Sequence, residues 1–234
     1  MIKVYRSSLV ILLSFFLISS VSAQQFNGAW TRSLDTAVQY LTIVDNYYSL
    51  VTFNVESKKF INTSGGIADF NNERISGVIE FNTGDKSVVG SNYDLPVHQK
   101  GKKLQLDLDG IGLVWNRVDL AEDRLSGNWK IIGRKQDGKM STIVPGARKT
   151  IKILSATRFQ WVALNSATGE FFGTGGGTYT FKKGKYIEQI EFFSRDSSRV
   201  GASLSFDAEI KEGNWHHSGL SSKGDRIYEI WSRK

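Results

Sequence analysis

Apolar and polar residues alternate in short windows along most of the chain, and the period is two. In the first half the windows are residues 39–44, 48–55, 78–81 and 104–108. In the second half they are residues 150–154, 158–163, 178–181, 186–193, 203–210 and 227–231. These windows are rich in β-branched and aromatic side chains, which suit a pleated surface with one buried face. Turn-forming stretches separate them at residues 83–85, 99–101, 165–169, 183–184 and 212–214, each with a glycine of the kind a tight hairpin needs. No window combines helical periodicity with capping residues. The pattern predicts an all-β chain of short antiparallel strands at about ten-residue spacing, built as a sandwich or an up-and-down barrel.

The windows belong to two copies of one unit. At a constant offset of 111 positions, Phe60, Thr63, Gly65, Gly66, Phe70, Ile79, Glu80 and Phe81 recur as Phe171, Thr174, Gly176, Gly177, Phe181, Ile190, Glu191 and Phe192. Each copy opens on Gly-x-Trp (Gly28 to Trp30, Gly127 to Trp129) and closes on Trp-x-Arg (Trp115 to Arg117, Trp231 to Arg233). A tandem repeat of this length is one structural unit used twice. The units are residues 24–121 and 122–234, after a leader at 1–23.

The leader has a secretory layout. Lys3 and Arg6 precede an apolar run at residues 9–18, and Val21-Ser22-Ala23 is a small-residue cleavage site. The run falls short of the roughly 18–20 residues that cross a bilayer. The sequence therefore predicts an exported chain, periplasmic or secreted, with at most peripheral membrane association. It has no cysteine, so each unit must be held by packing, for which about 100 residues suffice. Without Lys3 and Arg6 the formal charge of +7 becomes +5. The basic residues are interspersed with acidic ones, a solvated surface rather than a nucleic-acid face.

A first-strand Trp and a last-strand Arg resemble the structural signature of the calycins, the superfamily of lipocalins and fatty-acid-binding proteins. That resemblance pairs Trp30 with Arg117 and Trp129 with Arg233, each guanidinium covering an indole. More closely, the second copy is similar to a lipocalin-like family of secreted Bacteroidetes proteins of unknown function. The matching motifs are Phe159-x-Trp161, Gly175 to Tyr179, Tyr186-x-Glu188-x-Ile190-Glu191, Trp215-x-His217-Ser218-Gly219 and Glu229-x-Trp231. The resemblance implies two lipocalin-like up-and-down β-barrels and carries no established activity or cofactor. Gln189 departs from the family pattern, and the first copy departs further, with Gly77 in place of Glu188.

Candidate chemistry concentrates in the second copy. Alternation places Tyr186, Glu188, Ile190 and Phe192 on one strand face, so that Glu188 becomes an acid among aromatics. His216 and His217 face opposite sides and cannot share a metal, and no metal-ligand set is visible. His217 runs in phase with Trp215. Arg158, Trp161, Tyr179, Glu188, His217 and Tyr228 are the expected interior ligand-binding residues, and the insertion at residues 136–147 is the candidate lid over the open barrel end. The run Gly175 to Gly177 lacks the Gly-Lys-Ser/Thr of a phosphate loop and reads as a strand bend. Three functions stay open: binding of a small apolar or amphipathic molecule, a calycin-type isomerase, lyase or hydrolase using Glu188 and His217, or a non-catalytic envelope interaction module. No catalytic residue is assigned, and the sequence leans away from an enzyme.

Overall fold

The computed structural model describes residues 25–233 apart from 72, 137, 145 and 222. The expected leader at residues 1–23 lies outside the described residues. In the first half the strands are β1 (Gly28–Ser33), β2 (Val38–Val44), β3 (Tyr47–Asn54), β4 (Lys59–Ile67), β5 (Asp69–Asn71), β6 (Arg74–Asn82), β7 (Asn92–Lys100), β8 (Lys103–Leu108) and β9 (Ile111–Asp119). In the second they are β10 (Gly127–Gln136), β11 (Lys139–Thr142), β12 (Arg148–Leu154), β13 (Arg158–Asn165), β14 (Glu170–Lys182), β15 (Lys185–Phe193), β16 (Ser203–Lys211), β17 (Asn214–Leu220) and β18 (Arg226–Arg233).

Neighbours in sequence are neighbours in space, and each sheet closes on itself. In the first, β1 pairs with β9 and β4 with β6, leaving β5 as a short hairpin partner of β6. In the second, β10 pairs with β18, leaving β11 as an arm on β10. The result is two closed, eight-stranded, antiparallel up-and-down barrels of lipocalin-like form. Closure leaves no free strand edge on either barrel wall.

In each barrel one glycine lets two neighbouring strands come close where their ladder slips. A Cβ on Gly66 would stand 2.0 Å from the Val78 carbonyl oxygen, and one on Gly177 would stand 2.0 Å from that of Gln189. At each point the ladder slips register, at Gly65/Gly66 and at Gly176/Gly177. The second slip corrects one reading of the sequence. Alternation along β15 holds for Tyr186, Glu188 and Ile190 and then fails: Phe192 packs toward the first barrel, while Phe193 packs inside the second.

The base of each barrel is tied by its tryptophan. Trp30 Nε1 donates to the Phe26 carbonyl at 3.0 Å, and Trp129 Nε1 donates to that of Leu125 at 2.8 Å. The Arg117 guanidinium lies 3.8 Å from the centre of the Trp30 ring and donates to the carbonyls of Asn27 and Gln25. Arg233 lies 4.8 Å from that of Trp129 and donates to Arg124 O. Each indole is thus shielded by a cation that also satisfies backbone carbonyls just ahead of the first strand of its barrel.

The barrels pack about a pseudo-two-fold axis. Phe60 and Phe171, equivalent residues of the two copies, stack on each other with ring centres 6.4 Å apart. Ser49 and Gln160 are also equivalents, and Ser49 Oγ donates to Gln160 Oε1 at 2.5 Å. Gln160 Nε2 in turn donates to Thr63 Oγ1 at 2.9 Å and to Thr174 Oγ1 at 3.0 Å, a third equivalent pair. Apolar contacts flank this polar node: Phe53 with Phe192 on one side, Phe81 clustered with Leu164 on the other. The two repeated glutamates complete the symmetry. Glu80 accepts from Lys149 and Tyr47, and Glu191 accepts from Arg158.

Candidate functional site

On β12 the isoleucines Ile151 and Ile153 face the first barrel, which leaves Lys152 and Leu154 facing inward. Lys152 is therefore a charged residue inside the second barrel. Its Nζ donates to Glu188 Oε1 at 2.9 Å, and both side chains are only 6% exposed. Aromatic rings surround the ammonium: Nζ lies 5.2, 5.1 and 5.3 Å from the ring centres of Tyr186, Trp215 and Trp231. Such contacts are strongest when the cation is desolvated.

His217 forms the next part of the cluster. Its ring packs 4.1 Å from Phe206 and 5.2 Å from Trp215, centre to centre. Burial, reinforced by the charge of Lys152, pushes its pKa below the ordinary 6.5 and keeps the imidazole neutral. Neither ring nitrogen has a hydrogen-bond partner, and Nδ1 lies 3.6 Å from Glu229 Oε2. Burial works against ionisation of Glu229, yet His217, Lys152 and Arg134 together hold its pKa down at about 2. The imidazole contact is longer than a hydrogen bond and the ring is neutral, so the two cations carry most of that effect. Arg134 donates to Glu229 Oε1 at 2.7 Å and is itself 47% exposed, so the cluster meets solvent there. Nearby, the Trp215 indole N–H is buried without a partner, and the Tyr186 hydroxyl is buried beside the Glu188 carboxylate, so that burial and that charge push its pKa up.

Register shows what the first barrel has instead. Lys152 pairs with Trp129 as Leu41 pairs with Trp30. His217 pairs with Glu229 as Leu106 pairs with Leu113. At the repeat offset, Tyr186 and Trp215 correspond to Ile75 and Leu104. Glu188 corresponds to Gly77, where the Ile67 carbonyl oxygen occupies the space a Cβ would need. Three leucines of the first core thus stand where the second has Lys152, His217 and Glu229. A search against protein-family models finds no match for the chain, and a search of curated proteins finds none either.

Of the six residues expected to line the interior, four do. Glu188 and His217 belong to the charged cluster. Tyr179 lies at the base, donating its hydroxyl to the Ser155 carbonyl at 2.7 Å. Trp161 is half-buried against the interior core, its ring 5.5 Å from that of Phe193. The other two point the opposite way. Arg158 lies between the barrels, paired with Glu191 and 3.2 Å from the centre of the Tyr40 ring. Tyr228 is on the outer wall, its hydroxyl 2.8 Å from Nδ1 of His216. Both fall on the outward phase of strands whose inward phase carries Phe159 and Trp161, or Glu229 and Trp231.

Glu188 and His217 do not pair directly. Glu188 is bound by Lys152, and the carboxylate next to His217 is that of Glu229. Neither alternation nor motif spacing singles out Lys152 or Arg134. The signal for Lys152 was present: a lone charge between two isoleucines, at the repeat position of Leu41. Of the insertion expected at residues 136–147, β11 pairs with the end of β10 as an arm. It is anchored by Ile143, which donates its amide to Ile132 O at 2.8 Å and packs against the interior core.

Proposed function

We propose that the chain is an exported, lipocalin-like binding protein whose second barrel holds one small amphipathic molecule. Its polar head meets Lys152, Glu188 and His217, and its apolar part meets the aromatic wall. One observation carries this reading: charged and polar groups occupy the second core where leucines build the first. Buried ion pairs are poor builders of stability, and replacing one by apolar groups of similar volume is often neutral or stabilising. The first barrel closes with the apolar set, so the second does not need its charges in order to fold. A few polar groups converging in an apolar interior are what orients a ligand in a barrel. The first barrel then serves as the packing partner. Residues 1–23 act as the export signal, delivering the chain to the periplasm or beyond without nucleic-acid partners.

Native mass spectrometry of the chain purified from its host's envelope tests the proposal. The wild type should retain a small molecule, and the variant carrying Lys152→Leu with Glu188→Leu and His217→Leu should stay folded and empty. A wild type that carries nothing, together with a variant less stable than the wild type, would make the charges structural and sink the reading.

A further inference from the structure

The same cluster is arranged for covalent chemistry, and we infer that Lys152 forms a reversible imine with the carbonyl group of an amphipathic aldehyde or ketone. The inference rests on the binding reading above and specifies the ligand's head group. A lysine becomes a carbonyl nucleophile when it is desolvated and can hand its proton to a neighbouring base. Both conditions hold at Lys152. Aromatic rings take the place of water around Nζ, and Glu188 Oε1 accepts its proton line at 2.9 Å. Two further groups stand ready for proton movement on the carbonyl oxygen: the buried Tyr186 hydroxyl beside Glu188, and the neutral His217 ring packed 5.6 Å from the Tyr186 ring.

The step balances without oxidant or reductant. The Lys152 ammonium gives one proton to Glu188. The free amine adds to the carbonyl carbon, forming the C–N bond as the C=O π electrons move to oxygen. A proton passes from nitrogen to that oxygen by way of Tyr186 or His217, giving the neutral carbinolamine. Glu188 returns its proton to the hydroxyl, the C–O bond breaks, and water leaves while the nitrogen lone pair forms C=N. The product is a protonated imine with the Glu188 carboxylate as its counter-ion, so the charge inside the barrel is the same before and after. Leu41 stands at the equivalent place in the first barrel, which restricts the reaction to one site per chain.

Reductive trapping tests this on the full-length mature chain. Nonanal with cyanoborohydride is the reactive probe, and nonanol, which cannot condense, is the binding control followed by tryptophan fluorescence. Peptide mapping should find alkylation at Lys152 about tenfold above that of the exposed Lys185, a margin of about 1.4 kcal/mol. Lys152→Arg should remove that label, and Glu188→Gln should slow it by about 100-fold. If nonanol binds and Lys152 is labelled no faster than Lys185, the imine is overturned and the binding proposal stands. If neither probe engages the second barrel, both fall. Should either variant fail to fold, the ratio of Lys152 to Lys185 labelling in the wild type decides alone.

Discussion

Replacing Lys152 and Glu188, singly and together, separates what the buried pair does for the fold from what it does for a ligand. At 2.9 Å the two charges attract by about 6 kcal/mol for an effective dielectric near 20. Both side chains are 6% exposed, so solvent screening is small. Against that attraction stands a desolvation penalty of several kcal/mol for each ion. The net contribution of the pair is therefore close to zero, whereas removing one partner strands the other. Lys152→Met should destabilise the chain by about 3–5 kcal/mol, since Glu188 is left buried and unpaired. Glu188→Met should do the same to Lys152. The double variant places two flexible apolar side chains among Tyr186, Trp215 and Trp231, much as Leu41 sits in the first core. It should recover wild-type stability or exceed it by about 1–4 kcal/mol. Urea unfolding followed by tryptophan fluorescence gives all four corners of the cycle. A double variant no more stable than either single variant would mean that the pair holds the barrel together, and the reasoning would be refuted.

Other consequences are open to measurement. Glu229 is held at about 2 against an ordinary 4.5, so its contribution to stability is fully present above pH 4.5 and is lost as the pH falls toward 2. Glu229→Gln should remove that part of the acid slope of the unfolding free energy; an unchanged slope would place the acid sensitivity elsewhere. Arg158→Ala strips Glu191 of its partner and Tyr40 of its cover, and should lower stability by about 2–3 kcal/mol in thermal unfolding without changing ligand retention by the second barrel. Gly66→Ala and Gly177→Ala each force a Cβ to 2.0 Å from a carbonyl oxygen, and each should cost more than about 4 kcal/mol, read as loss of soluble protein. Normal yields of either would show that the ladder slip can move.

Much of the fold is legible in the chain because a barrel repeats one rule, alternation of facing, and this chain states the rule twice. The repeated residues mark what both copies need: Trp30 and Trp129 at the base, Gly66 and Gly177 at the ladder slip, Glu80 and Glu191 between the barrels. The charged cluster is harder to read. Period-two phase places His217 and Glu188 on inward positions but says nothing of partners across the barrel, so Lys152, three strands from Glu188, stays invisible as its mate. The outward phase misleads for the opposite reason. In an isolated barrel Arg158 on the outer wall would meet water, and only the second barrel's neighbour explains why it is buried. Phe192 and Phe193 exchange sides because a bulge at Gly176/Gly177 interrupts the count, and local alternation cannot anticipate such a slip.

In a true homodimer every substitution at the interface is made twice, once on each side of the axis, so a change must suit itself. Here Ser49 faces Gln160, and Tyr47 supports Glu80 where Arg158 supports Glu191. Joining the two barrels in one chain releases them from that self-complementarity. A hydroxyl can answer an amide and a phenol can answer a guanidinium, each side adapting to a neighbour that is not its own image. The same freedom extends inward: one barrel can keep a leucine core that secures the pair while the other carries charges that a symmetric assembly would have to bury in duplicate.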